Sequence, residues 1–393
     1  MKDRKSATRL PDRIGCHASG LAWSIALVGV VLLSQASSGL AAATNSNQAE
    51  RKLLYVAVPG IRNYLEYGGH GVLVFDIDHG HRFLKRIPAA GLDESSQPLN
   101  VKGVCANAST KRLYVGTTRT LTCFDLLSEK ILWEKRYPGG CDRMSITPDG
   151  KVIYLPSLEG AHWHVVDGHT GNVIKKILPK SVGAHNTIVG VDGTRAYLAG
   201  LRSPLLSVAD TKSHEVIREV GPFSNFIRPF TVNGGGTLCF VNLNDLLGFE
   251  VGDLTTGKML HRVEVQGFEK GPTKRHGCPS HGVGLTPDEK ELWLTDAHNT
   301  RLHLFDATAT PPKQVASIAL RDQPGWVTFS LDGKYAYPST GDVIEVATRM
   351  IVAGLKDENG IDVQSEKMLE IDFKDDLPVR AGDQFGLGRL RRP

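Results

Sequence analysis

Short apolar stretches, each closed by an aspartate and followed by a polar turn and a second apolar stretch, recur along the chain. They are VLVFDIDHGHRFLKRI, LTCFDLLSEKILWEKR, HVVDGHTGNVIKKI, LSVADTKSHEVIREV, GFEVGDLTTGKMLHRV and LHLFDATATPPKQVASI. Their marker aspartates, Asp76, Asp125, Asp167, Asp210, Asp253 and Asp306, are spaced by 49, 42, 43, 43 and 53 residues. Upstream of most lies a second unit, two strands around a tight turn: SITPDGKVIYL, VGVDGTRAYLA, TVNGGGTLCFV, GLTPDEKELWLT and TFSLDGKYAYP. Asp-Gly turns between alternating apolar runs are hairpin signals. Each repeat therefore reads as four antiparallel strands, a to d, and a period of roughly 40 to 50 residues is that of a propeller.

The pattern predicts an all-β chain, a seven-bladed β-propeller of four-stranded antiparallel sheets, with repeat cores at about 53–87, 101–137, 141–179, 184–222, 227–267, 280–320 and 324–356. The first repeat lacks an inner strand, and KMLEIDF at 367–373 is a strand without a repeat. The late strand is expected to complete the first blade and remove the open edges of the ring. The reading divides the chain into a leader (1–43), a flexible linker (44–52), the propeller (53–373) and a disordered C-terminal tail (374–393).

With these turns and strands, residues 101–349 resemble the YVTN-repeat β-propeller family. The resemblance implies an exported seven-bladed propeller sharing architecture with lactonase-type and quinoprotein-type propellers. Fold alone supplies no activity. The Thr-Gly-Lys turn is similar to those of quinoprotein propellers, but their regularly repeated tryptophans are missing, which counts against a quinone cofactor.

Composition supports a packed core: 41% of residues are apolar and 22% charged, which excludes disordered, collagen-like and multi-span membrane classes. The formal charge of +4 comes mainly from residues 1–43, where five Lys/Arg face two Asp/Glu; the rest is near neutral and carries no nucleic-acid-binding field. Lys2, Arg4, Lys5, Arg9 and Arg13 precede an apolar run at 21–33 and the small residues Ala41, Ala42 and Ala43. That is the layout of a secretory signal peptide, so the chain is expected in the periplasm or secreted, with no membrane span after cleavage. Five cysteines remain, an odd count that leaves at least one thiol unpaired or paired between molecules. Cys105, Cys123 and Cys239 sit in apolar strand patterns and read as core residues.

Candidate chemistry gathers on the face bearing the b–c and d–a loops, because the longest loops, 59–71, 88–100 and 267–280, all lie there. Counting back six residues from the equivalent tight turns places Lys102, Asp142, His185, Arg228, His281 and Gly325 around the mouth of the channel. Such a ring suits a carboxylate or other anion. Lys102, Asp142 and Arg228 are the expected ligand contacts, with Arg62, Tyr64 and Tyr67 from the first-blade loop and Trp326 as a stacking surface. His185 and His281 are the expected proton carriers. His276, Cys278 and His281, with His185 across the channel, form a candidate divalent-metal set, although the spacing matches no established motif. A disulfide between Cys141 and Cys278 is the competing use of Cys278.

The function expected is a monomeric, exported protein binding an anionic small molecule or sugar acid, with metal-assisted lyase or lactone-hydrolase chemistry left open. The alternative is a non-catalytic scaffold for a protein partner or cell-envelope polymer. An enclosed, convergent cavity favours the first, and a wide water-filled hole the second.

Overall fold

The computed structural model describes residues 50–88 and 91–390. The leader assigned to 1–43 lies outside the described residues. Within them the only helical element is a single turn at Leu65–Tyr67, and no helix is long and apolar enough to cross a membrane.

The recurring aspartates owe their spacing to turn chemistry. Asp167 Oδ1 accepts the backbone N–H groups of His169 (3.0 Å) and Thr170 (2.7 Å), and Asp125, Asp210 and Asp253 each do the same for the residues two and three positions on. A carboxylate that satisfies two turn donors fixes the c–d corner of the blade. The a–b corners are built alike: Thr147 donates to Asp149 (2.6 Å), Thr286 to Asp288 (2.7 Å) and Ser330 to Asp332 (2.7 Å).

These corners fold the chain into seven antiparallel sheets in a ring. From the second blade to the seventh the inner strands are Val101–Asn107, Ser145–Ile146, Ala184–Val189, Ile227–Val232, Val283–Leu285 and Val327–Phe329. Each touches the next, and the circle closes through Met368–Lys374, the inner strand of the first blade. That strand pairs with Glu50–Val58 over the register Glu50↔Lys374 to Val56↔Met368, so the late strand completes the first blade as expected. Pairing begins at Glu50, within the segment read from sequence as linker. Seven apolar clusters form the core, one at each interface between neighbouring blades. Cys105, Cys123 and Cys141 fill the interface of the second and third blades, and Cys239 that of the fourth and fifth.

The expectation of a disordered tail is corrected. Leu377–Ala381 forms a fifth strand of the first blade, paired with Met368–Lys374 on its channel side. The chain then crosses the channel. Gln384 receives the N–H of Val104 (3.2 Å) and donates to the carbonyl of Met144 (3.2 Å), and the Gly386 carbonyl accepts from Leu285 N (2.8 Å) and Thr231 Oγ1 (2.8 Å). Phe385 and Leu387 join the core beside Trp326. Gly386 is needed between them: its φ is +61°, and a Cβ there would meet Gly284 Cα at 3.0 Å. The tail is thus held by backbone groups of the inner strands, and its apolar side chains are buried against blades four to seven.

Candidate functional site

On the opposite face, a cavity of about 130 Å³ occupies the channel mouth. Inner-strand starts bring Lys102, Arg143, His185, Arg228, His281, Glu366 and Lys367 to it, the first-blade loop adds Arg62, and the long loop before the sixth blade adds Arg275 and His276. Six cationic side chains line it against two carboxylates, Glu159 at the rim and Glu366 inside.

Its walls are two hydrogen-bonded chains joined by Arg143. On one side Asp142, fully buried, receives His185 Nδ1–H at 2.6 Å, while Lys102 Nζ stands 3.6 Å from its other oxygen. Arg143 donates to His185 Nε2 at 2.9 Å, so the imidazole is neutral. Burial and the cations Arg143 and Lys102 push His185 down to about 4, against the pull of Asp142. Burial opposes charge on Asp142 as well, but His185, Lys102 and Arg143 outweigh it and hold the carboxyl at about 2.

On the other side Arg143 also binds Glu366, which meets His276 Nδ1 at 2.8 Å and Lys367 Nζ at 2.8 Å. Burial works against ionised Glu366, but Lys367 and Arg143 keep it well below the usual carboxylate range. Burial, with Arg143 nearby, brings Lys367 down to about 7 against the attraction of Glu366. His281 donates Nδ1–H to the Gly325 carbonyl at 2.8 Å. Burial holds it well below its ordinary range, and its Nε2 is left as an acceptor.

The floor is aromatic. Arg143 lies 4.5 Å over the Trp326 ring, whose Nε1 donates to the Gln384 carbonyl and whose neighbour is Phe385 (6.1 Å between centroids). The crossing tail therefore supports the layer on which the site rests.

The cavity unites Lys102, Arg228, Arg62, His185, His276 and His281 of the residues expected from sequence, with Asp142 directly behind them. Trp326 lies beneath Arg143, 2% exposed, with its ring covered rather than offered for stacking. Tyr67 stands behind Arg275, accepting from it at 3.2 Å, and Tyr64 packs edge-on against Tyr67 outside the lining.

Cys278 turns away and donates to the Ser280 carbonyl at 3.2 Å, with burial pushing its thiol up to about 12. The metal set is corrected accordingly: among the described residues the donors that converge are His276, His281 and Glu366, without Cys278 or His185. The disulfide option is corrected too, since Cys141 and Cys278 are both buried free thiols, as are the other three cysteines of the described residues.

Sequence reading missed Arg143, Arg275, Glu366 and Lys367. Arg143 follows Asp142 before the third-blade strand begins at Ser145, so strict alternation does not apply to it. Reading backward from the closing strand would have placed Glu366 and Lys367 at the mouth.

No protein-family model matches the sequence, and no curated protein matches it. Among solved structures the chain is similar to a hydrazine synthase of Kuenenia stuttgartiensis, at 15% identity and a TM-score of 0.57, over 73% of this chain and 91% of that one. At that identity the likeness concerns the propeller fold alone.

Proposed function

We propose that the chain is an exported propeller of the YVTN-repeat type that binds a small organic anion at the channel mouth. The observation that carries the reading is the convergence of six cations and three imidazoles on one cavity whose floor is closed by Trp326 and the tail. Low-dielectric walls strengthen such charges toward an anion. They also oppose a metal ion: Glu366, the one carboxylate of the converging donor trio, is already shared between Arg143 and Lys367. If the bound anion reacts, proton transfer falls to His281, whose Nε2 is open, rather than to His185, whose two nitrogens are both engaged.

Calorimetric titration of the mature chain with malonate and with uncharged glycerol tests the reading. Malonate binds, glycerol does not, and Arg228→Ala weakens malonate by about 1.5–3 kcal/mol, the worth of a charge-assisted hydrogen bond. Absence of malonate binding, or equal binding by wild type and a His185/His281 double alanine variant, leaves the scaffold reading. Export is tested separately by mass spectrometry of the periplasmic product, which begins after Ala43 if the leader is removed.

A further inference from the structure

The six cations differ in how many of their hydrogens the protein itself engages. Arg275 donates to Tyr67 (3.2 Å), Asp322 (3.1 Å), the Gln323 carbonyl (2.9 Å), Gln364 (3.1 Å) and His276 (3.2 Å). Arg143 is held by His185 and Glu366 with its face on Trp326, and Lys367 lies between Glu366 and the Gly60 carbonyl (3.2 Å). These three brace the wall.

Lys102 and Arg228 are different. Among the described residues Lys102 pairs with Asp142 alone, and at 3.6 Å this ion pair is too long for a hydrogen bond. Arg228 uses Nε on Asn244 and Nη2 on the Gly277 carbonyl (3.1 Å), and its Nη1 has no partner among the described residues. Both are partly buried and both line the cavity. A half-desolvated cation with unused hydrogens is costly until a counter-charge arrives.

The two belong to the second and fifth blades, three blades apart, the widest separation a ring of seven permits. One carboxylate placed on either leaves the other unanswered. The carboxylates already present answer them incompletely: Asp142 faces Lys102 at 3.6 Å but is shared with His185 and Arg143, Glu366 is bound to Arg143 and Lys367, Glu159 is exposed at the rim, and Arg228 has no ion-pair partner among the described residues. The cavity, about 130 Å³, is well below the roughly 300–1,000 Å³ of drug-sized sites, which limits the occupant to a few carbons.

Resting on the anion-site reading, we propose that the occupant is a short dicarboxylate, one end held by Lys102 and the other by Arg228, with Arg62 at the rim. The test is calorimetric titration of the full chain at fixed ionic strength with the linear diacids from oxalate to adipate and with the monoacid matching each in chain length. At least one diacid binds about tenfold or more tighter than its monoacid, the worth of one further charge-assisted contact.

Lys102→Met and Arg228→Met each lower that diacid to the monoacid level while melting stays cooperative, and Arg228→Lys, which keeps the charge, retains a preference. If diacids and monoacids bind equally, or if the preference survives both methionine variants, the dicarboxylate inference is overturned while the anion site stands. If no acid of either series binds, both readings fall.

Discussion

Lys367 places an amine that titrates near neutrality inside a cavity built for negative charge. Its pKa of about 7 lies below the ordinary 10.5 because burial and the facing cations Arg143 and Lys102 oppose its charge more than Glu366 supports it. Below pH 7 the amine is charged and attracts an anion, and above pH 7 that attraction is lost. Anion affinity therefore falls as pH rises through 7, and Lys367→Met removes this component; titrations at pH 6 and 8.5 measure it.

Buried histidines act on stability: His81, His164 and His185 are each pushed to about 4 from 6.5, first by burial, and His281 is lowered by the same cause. Their folded forms bind fewer protons than the unfolded chain between those values. Stability is accordingly retained above pH 6.5 and lost as pH falls toward 4, by up to about 1.4 kcal/mol per pH unit for each histidine. Urea denaturation at pH 7 and pH 5 reads this directly.

Residues at one aligned register, such as Asp142, His185 and Arg228, were legible because tight turns with local chemistry set the count. Arg143, Trp326 and Cys278 were not, because their direction is decided by contacts with other blades and with the tail.

At the scale of elements, the tail is the part least legible in the sequence. GDQFGLGRL has no strand alternation and three glycines, which reads as a loose end. Its order comes from elsewhere: hydrogen-bonding groups on the inner strands that no blade satisfies. Removing residues 383–393 leaves Val104 N, Leu285 N and Trp326 Nε1 without their acceptors and uncovers the apolar surface under Phe385. At about 1–3 kcal/mol for each stranded donor, the loss is several kcal/mol. Because Trp326 carries Arg143 on its other face, anion affinity drops with it. Phe385→Ala, which keeps the backbone contacts, costs about 3–5 kcal/mol through the cavity it leaves. Denaturant midpoints of the two variants rank these effects.

At the scale of the whole molecule, seven equivalent interfaces share the apolar core, and closure rests on one sheet made from both ends of the described chain. The number of blades was readable because six corner aspartates each announce a blade and the TFSLDGKYAYP hairpin announces the seventh, whose corner carries Glu345 instead. Deleting Met368 onward opens two sheet edges and uncovers the apolar clusters that the first blade shares with the second and the seventh, so cooperative melting is lost; calorimetry of the truncated chain checks it.

The position of that strand also orders events in time. Six blades are complete in sequence before the ribosome reaches residue 368, yet the first blade waits for its inner strand and the channel floor for Gln384. A chain interrupted before Met368–Lys374 has neither a closed ring nor a finished site, so ligand binding reports that synthesis has passed the closing strand and Gln384.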